Sequence, residues 1–126
     1  MTTANRPVKQ PGPDHPITVS ASEQRVTVRF AGQVVAETRR ALSLQEADYP
    51  AVLYVPREDA RAELLQRSDT TTYCPFKGEA SYYTIEVAGQ QAVDAIWTYE
   101  NPYPAVGEIK DYLAFYPDRV DEISVS

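Results

Sequence analysis

The run Ser68–Val87, Ser-Asp-Thr-Thr-Thr-Tyr-Cys-Pro-Phe-Lys-Gly-Glu-Ala-Ser-Tyr-Tyr-Thr-Ile-Glu-Val, decides how this chain folds. Two β-prone halves flank its centre, Pro75-Phe76-Lys77-Gly78. Proline fixes φ at the first corner of a turn, and glycine accepts the positive φ that closes it. We therefore predict that Thr70–Cys74 and Glu79–Val87 form the arms of a β-hairpin, with Lys77 displayed at its tip.

Further β-prone runs lie on both sides of this hairpin. Arg25–Phe30 alternates apolar and polar residues, and a glycine turn returns the chain as Gln33–Thr38. A second glycine turn predicts that Ala92–Tyr99 pairs back on the hairpin, with one face carrying Val93, Ala95, Trp97 and Tyr99. Shorter strands are predicted at Ile17–Val19, Leu42–Leu44, Val52–Val55 and Val120–Val125.

Helical signals are few and short. Good helix formers follow Pro56, so Arg57–Gln66 is predicted as a helix of one or two turns. Ala105–Lys110 predicts another helical turn, and Tyr112–Tyr116 could extend it or begin a strand. Strands about ten residues apart with glycine turns predict a mainly β fold, either a compact antiparallel sandwich or a folded-over barrel with one or two short helices.

The 126 residues are enough for one domain that buries about two thirds of its unfolded surface without help from a disulfide or a metal. Residues 1–16 carry prolines at positions 7, 11, 13 and 16 and almost no apolar side chain. Such a segment cannot offset its ordering entropy by burial. We expect a flexible leader over residues 1–16 and a single β-rich domain over residues 17–126.

Charge and composition argue against several classes of protein. The net charge is −6 and no basic run is present, so we expect no nucleic-acid partner. The sequence has neither an apolar stretch near the roughly 20 residues of a membrane span nor the hydrophobic core of a signal peptide. The single cysteine fits a reducing compartment. We therefore expect a cytoplasmic protein without a membrane partner.

Metal and cofactor chemistry has little support in the sequence. Structural zinc takes four thiolate or imidazole ligands, and the chain has one cysteine, Cys74, and one histidine, His15. A Walker-type loop and a Gly-x-Ser-x-Gly elbow are also missing. We therefore expect no metal and no cofactor, and the sequence names no catalytic residue.

Two cations are candidates for binding an anion. Arg57 follows Pro56 at a predicted strand-to-helix junction, where free backbone N–H groups also favour negative charge. Lys77 lies in the turn of the predicted hairpin. The alternative is that both side chains are solvated surface cations.

Cys74 and Asp69 each allow a functional and a structural interpretation. Cys74 could be a nucleophile, because a thiolate near a cation such as Lys77 is activated. It could equally be buried as a small hydrophobe, as free cysteines often are. Asp69 could be a functional carboxylate, or it could accept backbone N–H bonds in the turn Ser68–Thr71.

Aromatic residues fall on adjacent predicted strands, where they either pack in the core or form a surface on which a ligand stacks. Tyrosine hydroxyls that converge with Lys77 and Asp69 would favour the second interpretation. The candidate ligand-binding residues are Arg57, Asp69, Thr71, Tyr73, Cys74, Lys77, Tyr82, Trp97 and Tyr99.

Six runs of the sequence together form a distinctive pattern. They are His15-Pro16-Ile17, Tyr49-Pro50, Tyr54-Val55-Pro56-Arg57-Glu58-Asp59, Asp69-Thr70-Thr71-Thr72-Tyr73-Cys74-Pro75-Phe76-Lys77-Gly78, Trp97-Thr98-Tyr99 and Ala114-Phe115-Tyr116-Pro117. These runs resemble domain of unknown function 427, a small bacterial family that carries a nucleotidyltransferase-like name. The resemblance covers residues 17–126 and implies a compact, mostly β single domain without an established active site.

Three functions remain open at this point. The leading hypothesis is a small ligand-binding domain whose polar-aromatic pocket holds an anionic small molecule through Arg57 and Lys77. The second is a nucleotidyltransferase-type enzyme, which would need paired carboxylates beside a phosphate-binding loop. No local motif shows them, although carboxylates distant in sequence could converge. The third is a structural or protein-interaction domain whose aromatic residues all lie in the core.

Overall fold

A computed structural model describes residues 6–126, whose strands form three antiparallel sheets. Sheet I has the order β1-β4-β5, sheet II the order β10-β2-β3, and sheet III the order β6-β7-β8-β9. The predicted mainly β, antiparallel class is confirmed, and within the described residues the sheets do not close into a barrel. The strands are β1 (Ile17–Ala21), β2 (Val26–Phe30), β3 (Gln33–Thr38), β4 (Leu42–Glu46), β5 (Val52–Tyr54), β6 (Leu65–Cys74), β7 (Gly78–Val87), β8 (Gln90–Tyr99), β9 (Leu113–Phe115) and β10 (Glu122–Val125).

The predicted hairpin is formed by β6 and β7. Cys74 pairs with Gly78 across the turn, and Gly78 has a φ of +113°. The carbonyl oxygen of Asn101 lies 3.4 Å from the position that a Cβ would take on Gly78. Glycine is therefore favoured here both by the backbone conformation and by the close approach of a neighbouring loop.

Both neighbours of β7 bulge at the same level of sheet III. Within Arg67–Thr71, three residues of β6 lie opposite one residue of β7, and within Ala92–Ile96 three residues of β8 do the same. Asp94 in the second bulge has a φ of +53°. Its carboxylate accepts a 2.7 Å hydrogen bond from the Thr70 hydroxyl, which links the two bulges.

The bulge in β8 overturns the predicted alternation of that strand. Val93 is 53% exposed, and the predicted common face of Val93, Ala95, Trp97 and Tyr99 is not formed. Ala95 instead packs with Ile96 in one core, whereas Trp97 and Tyr99 belong to the other. Across the bulge β8 has two more residues than β7, and Asp94 has a positive φ, so a strict period of two does not hold through residues 93–95.

The helical segments are short 3-10 turns at Arg57–Asp59, Ala62–Leu64, Pro104–Ile109 and Pro117–Arg119. The predicted helix over Arg57–Gln66 is therefore wrong. Its middle is extended because Ala60 forms a bridge with Ala36, and the Arg61 amide donates to the Val35 carbonyl oxygen at 2.9 Å. Pairing with β3 overrides the helix propensity of these residues. The open choice at Tyr112–Tyr116 resolves to a strand, β9.

Sheet III carries a separate core on each face. An aliphatic core lies between sheets II and III and includes Val28, Val35, Ile85, Ile96 and Phe115. An aromatic core lies between sheets I and III and includes Tyr54, Tyr82, Tyr99, Val106 and Ile109. Tyr82 and Ile85 of β7 thus point to opposite faces, as their odd spacing requires.

Residues 6–16 lie against the hairpin. The Lys9 amide donates to the Pro75 carbonyl oxygen at 3.0 Å, and the Tyr73 hydroxyl donates to the carbonyl oxygen of Pro7 at 2.6 Å. The flexibility expected for residues 1–16 stays a prediction, and residues 1–5 lie outside the described part of the chain. Within residues 6–126, no helix has the length and apolar character needed to cross a membrane.

Candidate functional site

A pocket of about 290 Å³ lies between sheets I and III, on the aromatic side of sheet III. Strand residues spaced two apart share a face, and three such pairs, Leu44/Glu46, Val52/Tyr54 and Trp97/Tyr99, form most of its wall. We call it the polar-aromatic pocket. It is lined by Leu44, Glu46, Tyr49, Pro50, Val52, Tyr54, Lys77, Tyr82, Trp97, Tyr99 and Tyr116.

The prediction that Lys77 is displayed at the hairpin tip is wrong, because the residue is only 8% exposed. Its ammonium group contacts the Glu46 carboxylate on β4. The other oxygen of Glu46 lies 2.7 Å from Nε2 of His15, whose ring stacks on Phe76 with centroids 4.1 Å apart. The turn is thus folded back against sheet I by an ion pair that a local reading of the sequence does not show.

The Glu46 carboxyl is held ionised by its partners. Burial favours the neutral acid, but hydrogen bonds from Lys77 and His15 outweigh it and lower the pKa of Glu46 below its usual value. The pocket therefore contains one carboxylate and one ammonium in direct contact. Lys77 and Glu46 together contribute no net charge to the pocket.

Hydroxyl groups form short chains along the aromatic wall. The Tyr82 hydroxyl lies 3.0 Å from the Thr72 hydroxyl and 3.4 Å from that of Tyr116. The Trp97 indole N–H donates to the Tyr54 hydroxyl at 3.2 Å. Burial raises the pKa of Tyr54, and burial with the Tyr82 contact raises the pKa of Tyr116 to about 12. The hydroxyls of Tyr54 and Tyr116 therefore stay protonated at neutral pH and can both donate and accept.

The structure brings four of the nine sequence-derived candidates together. Lys77, Tyr82, Trp97 and Tyr99 all line the polar-aromatic pocket. Cys74 packs against the same aromatic core, where it is half-buried. The structural interpretation of Cys74 therefore has packing in its favour.

The other four candidates lie elsewhere. Arg57 donates to the Tyr83 hydroxyl at 2.9 Å, and its guanidinium lies 5.3 Å from the centre of that ring. Tyr73 contacts the Tyr103 hydroxyl at 2.6 Å, and desolvation together with this contact raises the pKa of Tyr73 to about 12. The remaining two, Asp69 and Thr71, are exposed on β6. Arg57 and Lys77 do not share the polar-aromatic pocket.

The carboxylate that contacts the Ser68–Thr70 segment is that of Asp94. The Thr70 amide donates to the Ser68 hydroxyl at 2.9 Å, and hydrogen bonds from Ser68 and Thr70 lower the pKa of Asp94. Ser68, rather than Asp69, thus accepts the backbone N–H of Thr70.

Sequence reasoning missed three main pocket residues, Glu46, Tyr54 and Tyr116. Glu46 lies two residues after Leu44 on β4 and therefore shares its face. The strand predicted from the sequence ended at Leu44, so Glu46 was missed. Tyr54 and Tyr116 lie in runs that carried the family resemblance, but they come from strands distant in sequence from the hairpin. Only the pairing of β9 with β8 and the bridge from Val55 to Leu113 of β9 bring them together.

Within residues 6–126, no three side chains of His, Cys, Asp or Glu cluster closely enough to hold a metal ion. The carboxylate of Glu46 is already engaged by His15 and Lys77.

A family model described as Domain of unknown function (DUF427), with the label NTP_transf_9, matches residues 18–126. The chain belongs to this family. The resemblance inferred from the sequence runs is thereby confirmed over the whole β domain. A search of curated proteins gave no match.

Proposed function

We propose that this DUF427 domain binds a small molecule in the polar-aromatic pocket. The observation that carries the proposal is the convergence of the Glu46–Lys77 pair with an aromatic wall in one pocket of about 290 Å³. Ligand sites combine largely apolar and aromatic walls with a few placed polar groups, as this pocket does.

The charge of the pocket favours a neutral hydrogen-bonding group over an anion. Glu46 already neutralises Lys77, and Arg57, the second cation of the anionic hypothesis, lies against Tyr83. An ammonium has three donors and a carboxylate about four acceptor positions, so both retain capacity for a ligand. A primary amide suits them, because its oxygen can accept from Lys77 while its NH₂ donates to Glu46.

The wall opposite this pair suits a planar group. Trp97 and Tyr116 lie with ring centroids 4.4 Å apart, and Tyr54 meets Trp97 edge-on at 6.3 Å. Aromatic rings prefer offset or edge-to-face neighbours at such distances. We therefore propose a ligand with a planar part against Trp97 and a polar group that reaches Glu46 and Lys77.

Calorimetric titration with benzamide and with benzoate tests this proposal, since the two probes share a ring and differ in charge. We expect wild-type protein to bind benzamide more tightly than benzoate. In Glu46→Gln, the unpaired Lys77 should reverse that preference. The matched control is Glu79→Gln, which removes a carboxylate of the same hairpin outside the pocket and should keep the wild-type order. Failure of both probes to bind wild-type protein up to their solubility limits would overturn the proposal.

A further inference from the structure

A second pocket, of about 280 Å³, adjoins the first. Every residue that lines it is apolar, including Val28 of β2, Phe115 of β9 and Ile123 of β10. We call it the apolar pocket. The pocket is partly open to solvent, so a ligand could enter it, and its volume is several times the roughly 30 Å³ that one water molecule occupies.

The two pockets have a common wall. Val52 of β5 and Trp97 of β8 line both of them. Trp97 is half-buried, its indole N–H is held by Tyr54, and its ring lies against Tyr116. A molecule in either pocket therefore contacts the same indole, and one that passes over this wall reaches both.

Size and chemistry together identify the class of ligand. Each pocket alone lies near the lower end of the volume range of small-molecule sites, about 300 Å³, whereas the two together fall well within that range. One side offers an ion pair and hydroxyls, and the other is lined by apolar side chains. We infer that the ligand is an amphiphile, with a planar polar head in the polar-aromatic pocket and a hydrocarbon chain in the apolar pocket. This inference rests on the proposed function.

A homologous series of probes measures directly how much the hydrocarbon chain of the ligand contributes to binding. The probes are benzamide, 4-ethylbenzamide, 4-butylbenzamide and 4-hexylbenzamide, followed by the fluorescence of Trp97, the only tryptophan. Each methylene that enters an apolar site should tighten binding about fourfold, until the pocket is full. Benzamide itself should bind without using the apolar pocket.

Two variants and one control variant test whether the hydrocarbon chain of the ligand occupies the apolar pocket. Ala51→Phe adds a ring to the apolar pocket at an exposed position, where folding should be unaffected. We expect it to abolish the gain from the chain and leave benzamide affinity unchanged. Val93→Phe, at an exposed residue that lines neither pocket, is the matched control and should keep the wild-type series. Ile123→Ser, which removes apolar wall without filling the pocket, should reduce the gain for each methylene.

The outcomes separate this inference from the proposed function. If benzamide binds but affinity does not rise along the series, or if the rise persists in Ala51→Phe, the ligand is not an amphiphile. The proposed small-molecule site is not affected by that result. If no member of the series binds, both the amphiphile inference and the proposed function are overturned. A gain that Ala51→Phe removes and Val93→Phe retains supports the amphiphile.

Discussion

The two faces of sheet III differ in what they bury. The face toward sheet II packs aliphatic side chains such as Val28, Ile85 and Ile96 with exposures of 1% or less. The face toward sheet I packs tyrosines, leaves a pocket beside Trp97, and buries Lys77 against Glu46. Hydrocarbon without polar atoms is the simplest way to fill a core. The aromatic face contains polar groups that stability alone does not require.

This difference indicates a division of labour within one small domain. The aliphatic face supplies apolar burial, which dominates folding free energy. The aromatic face holds hydroxyls and an ion pair in fixed positions, which costs desolvation but orients groups for binding. Substitutions of fully buried aliphatic residues that line neither pocket should therefore affect mainly stability, whereas substitutions along the polar-aromatic pocket should affect mainly ligand binding.

The largest effect on stability is expected from the aliphatic face. Ile96→Ala should lower the free energy of unfolding by about 2–5 kcal/mol, because a fully buried side chain leaves a cavity. The matched change on the other face, Tyr116→Phe, removes one hydroxyl and should cost about 1 kcal/mol or less. Urea unfolding measures the change in the free energy of unfolding for both variants. Similar losses for the two would contradict the division between the faces.

Breaking the buried ion pair should have an intermediate effect. Lys77→Met leaves the Glu46 carboxylate without its cation and should cost about 2 kcal/mol, less than for a fully buried pair because both side chains are slightly exposed. Adding Glu46→Leu in the same protein should recover most of the loss. A double variant as unstable as Lys77→Met would show that the charge of Glu46 is not the cause.

A smaller effect is expected from pH. The pKa of Glu46 is lower in the folded protein than its usual 4.5. Its contribution to stability is therefore present above about pH 4.5 and is lost as the pH falls through the folded-state pKa. The difference in unfolding free energy between wild type and Glu46→Gln should shrink steadily below pH 4.5. A difference that stays constant from pH 7 to pH 3 would contradict the assigned pair.

Nucleoside triphosphates with magnesium should produce no thermal shift. Among residues 6–126, Lys77 is the only cation that lines the polar-aromatic pocket, and Glu46 neutralises it. A nucleotide present at 100 times its Kd would add about 2.7 kcal/mol of stability, which a melting curve resolves readily. A saturable shift with ATP and magnesium would favour the nucleotidyltransferase reading of the family label over the proposed function.

Much of the fold could be predicted because its signals are local. Pro75 and Gly78 mark a turn, and the pairing of β6 with β7 confirms the hairpin they predict. The bulges around Asp94 could not be predicted, because they depend on a hydrogen bond from Thr70 two strands away. The helix over Arg57–Gln66 failed for a similar reason, since strand β3 pairs with its middle.

The residues of the candidate site show the same difference between local signals and long-range contacts. Lys77, Tyr82, Trp97 and Tyr99 belong to the hairpin and the strand beside it, so sequence proximity was enough to group them. Glu46 lies 31 residues from Lys77, and its role depends on how sheet I packs on sheet III. Grouping Arg57 with Lys77 assumed that exposed cations converge, whereas each has a partner of its own.

The central claim, a small-molecule site between sheets I and III, is tested most directly at the indole of Trp97. As the only tryptophan, it gives a single N–H resonance in a ¹H–¹⁵N spectrum, and its N–H is bonded to Tyr54 inside the pocket. On titration with 4-butylbenzamide, this resonance should move saturably in wild-type protein, and in Ala51→Phe it should move only at the higher concentrations that benzamide itself requires. An indole resonance that stays in place up to the solubility limit of the probe would contradict the account.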